Sequence, residues 1–202
     1  MLRWLRWRKW VKPKQDIVHY HDKQARLVEI EQLEKQGHID LFYADASGFC
    51  LTPVMAYCWQ YPNERVYLIP QFSKRINVFG LLSTDNRFTS FQTLNRMDTA
   101  FVIESIESWK QTLTKPTVLV LDNSPIHQAK AFWEKIEPWQ EEGLFIFFLP
   151  AYSPHLNKIE ILWRKIKYEW LKPTDYSSFA NLKEAIIQIL TKIGTDYTIN
   201  FS

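Results

Sequence analysis

Three acidic residues, Asp45, Asp122 and Glu160, stand where the chain can use them for chemistry. Asp45 closes the mostly apolar run 39–44, Asp122 closes the apolar run Thr117-Val118-Leu119-Val120-Leu121, and Glu160 opens a long amphipathic segment. Carboxylates brought together from strand ends and a helix start are how proteins hold Mg²⁺ or Mn²⁺ against phosphate.

Each of the three also has a plainer reading. Asp122 precedes Asn123-Ser124-Pro125 and reads equally as a group at the carboxyl end of a sheet strand or as a turn cap. Asp45, taken alone, reads as a hairpin turn residue ahead of Gly48. Glu160 completes a capping box with Asn157 as N-cap, yet on a helix it shares a face with Arg164 and Lys167. The same helix would bury Ile159, Leu162, Trp163, Ile166 and Trp170. His127, five residues after Asp122, either orients a phosphate or ligand or hydrogen-bonds backbone at a helix start, and His155, in the loop before Glu160, carries the same two readings. His19, His21 and His38 show no metal-ligand pattern. Trp133, Trp139, Trp163 and Trp170 recur at core spacing and read as packing.

Periodicity supplies the elements that would position these groups. A helix is expected over 16–36, closed by Gly37. Three strands follow over 38–45, 50–59 and 74–83, with Gly48 and Pro62-Asn63 as turns, and a further strand over 87–94. A helix over 97–112 shows an apolar face of Ala100, Phe101, Ile103, Ile106 and Trp109. The apolar strand 117–121 reads as buried on both faces. A helix at about 128–141 precedes a second buried strand, 144–149, and helices over 158–171 and 179–193 complete the chain. This is a mixed α/β layer architecture.

The composition fits one well-packed domain: 202 residues, 46% hydrophobic and 15% aromatic. No apolar run approaches the ~20 residues of a membrane span. Cys50 and Cys58 match neither a zinc knuckle nor a redox pair, which suits a reducing cytoplasm. Residues 1–14 hold six of the 25 basic side chains (Arg3, Arg6, Arg8, Lys9, Lys12, Lys14) and no acidic one. The other 188 residues carry 19 basic against 22 acidic groups. Trp4, Trp7 and Trp10 interleave these cations, so the arm reads either as a phosphate-contacting segment with stacking rings or as a solvated or packed tail.

Two strings narrow the reading. Val118-Leu119-Val120-Leu121-Asp122-Asn123-Ser124-Pro125-Ile126-His127 and Phe148-Leu149-Pro150-Ala151-Tyr152-Ser153-Pro154-His155-Leu156-Asn157-Lys158-Ile159-Glu160-Ile161-Leu162-Trp163 closely resemble the second and third catalytic motifs of mariner-superfamily DDE transposases. The nearest group is the bacterial insertion-sequence six-thirty family. The segment 42–49 resembles the first motif, and the resemblance covers about residues 16–195. It implies a ribonuclease-H-like fold, with a central mixed five-stranded sheet, its first three strands antiparallel, and helices on both faces. It makes Asp45, Asp122 and Glu160 the metal-binding and catalytic triad, holding two Mg²⁺ or Mn²⁺ ions.

By that resemblance the chain cleaves and joins DNA at transposon ends, and is expected to act in the cytoplasm as a homo-oligomer on DNA. Contacts to DNA are expected from the basic arm, His127, Arg164, Lys165 and Lys167. Ala46 and Lys158 depart from the family, which commonly has Glu and Pro there; neither departure removes a ligand. Family members carry helix-turn-helix modules ahead of this domain, whereas here a basic arm (1–15) precedes the expected catalytic domain (16–202). The chain therefore reads as a catalytic half completed by an upstream reading frame. The alternative is a truncated, inactive remnant that only binds DNA or a full-length partner.

Overall fold

The computed structural model of the chain describes residues 17–52 and 74–201. Helix α1 (Ile17–Lys35) leads into β1 (Asp40–Cys50), followed by β2 (Arg75–Ser83), β3 (Phe88–Thr93), α2 (Thr99–Lys110), β4 (Thr117–Leu121), α3 (Lys130–Glu141) and β5 (Leu144–Phe148). A short 3₁₀ turn, Pro154–Leu156, precedes α4 (Ile159–Lys165), which continues as a π-helical turn, Ile166–Trp170. Helix α5 (Phe179–Thr191) is the last.

The strands form one sheet in the order β3-β2-β1-β4-β5. The pairs β1–β2 and β2–β3 are antiparallel, while β1–β4 and β4–β5 are parallel. This is the expected mixed five-stranded sheet, first three strands antiparallel, with helices on both faces.

Strand alternation sends side chains to two cores. Leu41, Tyr43, Phe49 and Val120 pack with Ile159, Leu162, Trp163 and Ile166, and with Leu182, Ile186 and Ile189 of α5. Phe42, Ala44, Leu119 and Leu121 pack on the opposite face with Val102, Ile106 and Trp109 of α2 and Phe132 and Trp139 of α3. β4, with a strand on each side, is fully shielded at Leu119, Val120 and Leu121. β5 is an edge strand instead of a second buried one, and Phe145 remains exposed.

The largest correction concerns β1. Gly48 does not end it: the strand runs unbroken to Cys50, with Gly48 paired to Asn77 of β2. Asp45 is therefore a mid-strand residue opposite Gly80, and neither a strand end nor a hairpin turn. Residue 50 belongs to β1, Leu51 and Thr52 form a bend where the expected strand 50–59 should continue, and residues 53–59, Cys58 among them, with the turn at Pro62-Asn63, lie outside the described residues. The basic arm lies outside them too. On α2 the buried face is Val102, Ser105, Ile106 and Trp109, turned from the expected one, and Asp98 caps the helix by accepting the Phe101 N–H at 2.9 Å. Among the described residues, no helix is long and apolar enough to cross a membrane.

Candidate active site

Two residues beyond the paired positions Tyr43 and Val120, the adjacent parallel strands β1 and β4 present Asp45 and Asp122. The period of two puts Asp45 on the face of Leu41 and Tyr43, and Asp122 continues the face of Val118 and Val120. That is the face α4 covers. Asn157 fixes where α4 begins: buried, it donates from Nδ2 to the Ala44 carbonyl at 3.0 Å. The expected capping box does not form, since Lys158 holds the N-cap position with no side-chain cap bond. Asn157 thus ties the helix start to the residue preceding Asp45, and Glu160 follows in the first turn.

Asp45, Asp122 and Glu160 line one cleft of about 460 Å³ together with Asn123, Ser124 and Asn157. Their electrostatics differ. Burial, then the charges of Glu160 and Asp122, push the Asp45 carboxyl up to about 7; the Ala46 N–H and the Trp163 indole act the other way. Burial also raises Glu160, with Lys167 opposing and Asp122 reinforcing. For Asp122, burial is outweighed by hydrogen bonds from His127 and Ser124, which hold it below the usual carboxylate range.

Asp122 is both a turn cap and a cleft residue. Its Oδ1 accepts the Ser124 N–H at 3.2 Å and meets His127 Nδ1 at 2.8 Å. Both bonds fall on one oxygen, leaving the second for a ligand. His127 is buried, stacked obliquely on Phe132, with Nδ1 also 3.1 Å from the Asp122 carbonyl. At that position it meets both the side chain and the backbone carbonyl of Asp122. His155 is held by the Tyr20 hydroxyl at 2.9 Å.

The cations after Glu160 separate. Lys165 pairs with Glu169 at 2.7 Å and Arg164 is exposed. Lys167 folds back over the Phe49 ring, 5.3 Å from its centroid, where burial lowers its pKa while Glu160 and Asp45 raise it. Lys158 bonds Glu31 of α1 at 2.8 Å. Of the tryptophans, Trp139 and Trp163 are buried as expected, whereas Trp133 is half exposed. Sequence reasoning passed over Tyr152, which is 70% exposed on the cleft rim with a left-handed φ of 59°. The Ala151-Tyr152-Ser153-Pro154 turn was the available signal.

Among the described residues, no three His, Cys, Asp or Glu side chains stand close enough to enclose a metal ion as placed. The donor set is nevertheless all oxygen; the charges of Glu160 and Asp122 raise Asp45 and that of Asp122 raises Glu160, opposed in part by Lys167 at Glu160 and by hydrogen bonds at Asp45 and Asp122. That is a fit for a hard divalent cation.

Comparison with known proteins follows the same lines. The family described as "DDE superfamily endonuclease" matches residues 40–183. The "Insertion element IS630 uncharacterized 39 kDa protein" of Shigella sonnei is 24% identical over 131 residues, 62% of this chain. The chain spans 37% of the length of that relative. Among solved structures, the Mos1 strand transfer complex superposes with a TM-score of 0.59 at 12% identity, covering 95% of this chain and 59% of that one. The Mos1 mariner paired-end complex with Mn gives 0.57 at 13%, covering 95% and 60%. At such identities these likenesses speak to the fold.

Proposed function

This chain belongs to the DDE superfamily endonucleases, and on that premise we propose that it is a transposase catalytic domain in the branch of the IS630 and mariner transposases. The reaction proposed is metal-assisted cleavage and joining of DNA phosphodiesters at transposon ends. One observation carries the reading: β1, β4 and α4 each deliver one carboxylate to a single cleft, and burial there disfavours their charge.

Asp45, Asp122 and Glu160 would hold Mg²⁺ or Mn²⁺. Bound in such a set, a divalent ion makes a water or 3′-hydroxyl a better nucleophile and offsets charge on the phosphate. The chain's own residues do the rest. His127 keeps the Asp122 carboxylate ionised and aimed, Asn157 sets Glu160 beside β1, and Lys167 supplies a cation at the cleft edge.

The test is DNA nicking and strand joining by the purified chain in Mn²⁺ or Mg²⁺. Asp122→Asn should abolish both while leaving the thermal melt cooperative. Equal residual activity in wild type and variant would mark contamination, and would leave a DNA-binding remnant as the better reading.

A further inference from the structure

Trp163 is 2% exposed, yet its indole N–H has no hydrogen-bond partner among the described residues. Buried indole N–H groups ordinarily find an acceptor, and one left without a partner costs free energy. The donor is near enough to the Asp45 carboxylate to favour its charge, yet no hydrogen bond between them is formed.

The ring's place is set by a gap in the neighbouring strand. Gly80 is the residue of β2 opposite Asp45. A Cβ on Gly80 would stand 2.8 Å from Trp163 Cη2 and 3.0 Å from Cζ2, closer than packed carbon atoms come. Phe49, on the same β1 face as Asp45, meets the indole edge-on with centroids 6.3 Å apart. Trp163 follows Glu160 by three positions, so one turn of α4 carries both to the same strand.

We propose that Trp163 is a positioning residue for Asp45: its indole N–H, admitted to the sheet by Gly80, donates to one oxygen of the ionised carboxylate and leaves the other for the ligand shared with Asp122 and Glu160. This rests on the reading of Asp45 as a metal ligand, and two measurements separate the two ideas.

The first needs no metal. In ¹⁵N-indole NMR, Trp163→Phe identifies the Trp163 signal among the nine tryptophans. Asp45→Ala should shift that signal upfield and speed its exchange with solvent, leaving the other eight near their positions. An unmoved signal overturns the proposal. The second is Mn²⁺ titration calorimetry. Trp163→Phe, which keeps an aromatic ring but no N–H, should weaken binding about 10- to 100-fold, as loss of a partner to a ligand does. Gly80→Ala should weaken it too, though it removes no polar group. Wild-type affinity in Trp163→Phe overturns the proposal. Absence of Mn²⁺ binding by the wild type overturns the metal reading alone, and the NMR result still decides Trp163. Should Trp163→Phe fail to fold, the Trp163 signal can be assigned through its contacts to Phe49, and Asp45→Ala decides.

Discussion

Asp45 and Asp122 sit in one cleft with opposite titration behaviour, and each makes a pH prediction. An unfolded Asp ionises near 3.9. With the folded Asp45 carboxyl raised to about 7, the native state keeps a proton that the unfolded chain has lost. Stability due to Asp45 therefore falls as pH rises from about 4 to about 7 and is level above. Thermal melts in divalent-free buffer should show this slope, and Asp45→Asn should flatten it; an unchanged slope would exonerate Asp45. Asp122, held low by His127 and Ser124, contributes stability above pH ~4 that is lost in more acid solution. His127→Ala should remove that part. At Asn157, substitution by Ala leaves the Ala44 carbonyl unpaired in the core. A loss of about 1–3 kcal/mol in denaturant melts is expected.

At the scale of the element, α4 is the piece on which the site depends, and its start can be tested against the residue that relatives commonly carry. Lys158 has φ −61° and Asn157 is extended at φ −91°, ψ 102°. Both fit a proline at 158, whose ring sets φ near −65° and pushes its predecessor to extended backbone. Lys158→Pro would lose the ion pair to Glu31, worth about 0–1 kcal/mol when partly exposed. It would also restrict the unfolded chain, a gain of about 0.4–1 kcal/mol. The net change should be within about 1 kcal/mol, with DNA cleavage retained. A loss of several kcal/mol would mean that Lys158, which also lies over the Tyr43 ring, is a structural tie between α1 and α4.

For the whole molecule, the charge distribution makes a prediction about the proposed association with DNA. The described residues offer Lys167, which interacts with Glu160 and Asp45, and an exposed Arg164, while six cations lie in residues 1–14. Phosphate neutralisation gives a log–log salt slope of about −0.9 per contact, so deleting 1–14 should shallow the slope by up to about five. The binding isotherm against salt concentration measures it directly. An unchanged slope would make the arm a bystander; a deletion that unfolded the domain would make its tryptophans part of the core.

The sequence, with its family resemblance, determined most element types and the mixed five-stranded sheet, and singled out three carboxylates that the structure brings to one cleft. Apolar periodicity and the Leu121-Asp122-Asn123 and Leu156-Asn157 strings are local signals that do not depend on partners. It misread Gly48 as a turn, because glycine ends a strand or sits within one according to its neighbour, and β2 is the neighbour that holds β1 straight. It offered Asn157 only as a candidate cap, because only packing brings the Ala44 carbonyl within reach across 113 positions of chain. It left His127 open, since burial against Phe132 is a property of the assembled core. The opposition of Gly80, Asp45 and Trp163 was not legible at all. Strand register and a helix crossing decide it together, and neither is written in any one segment.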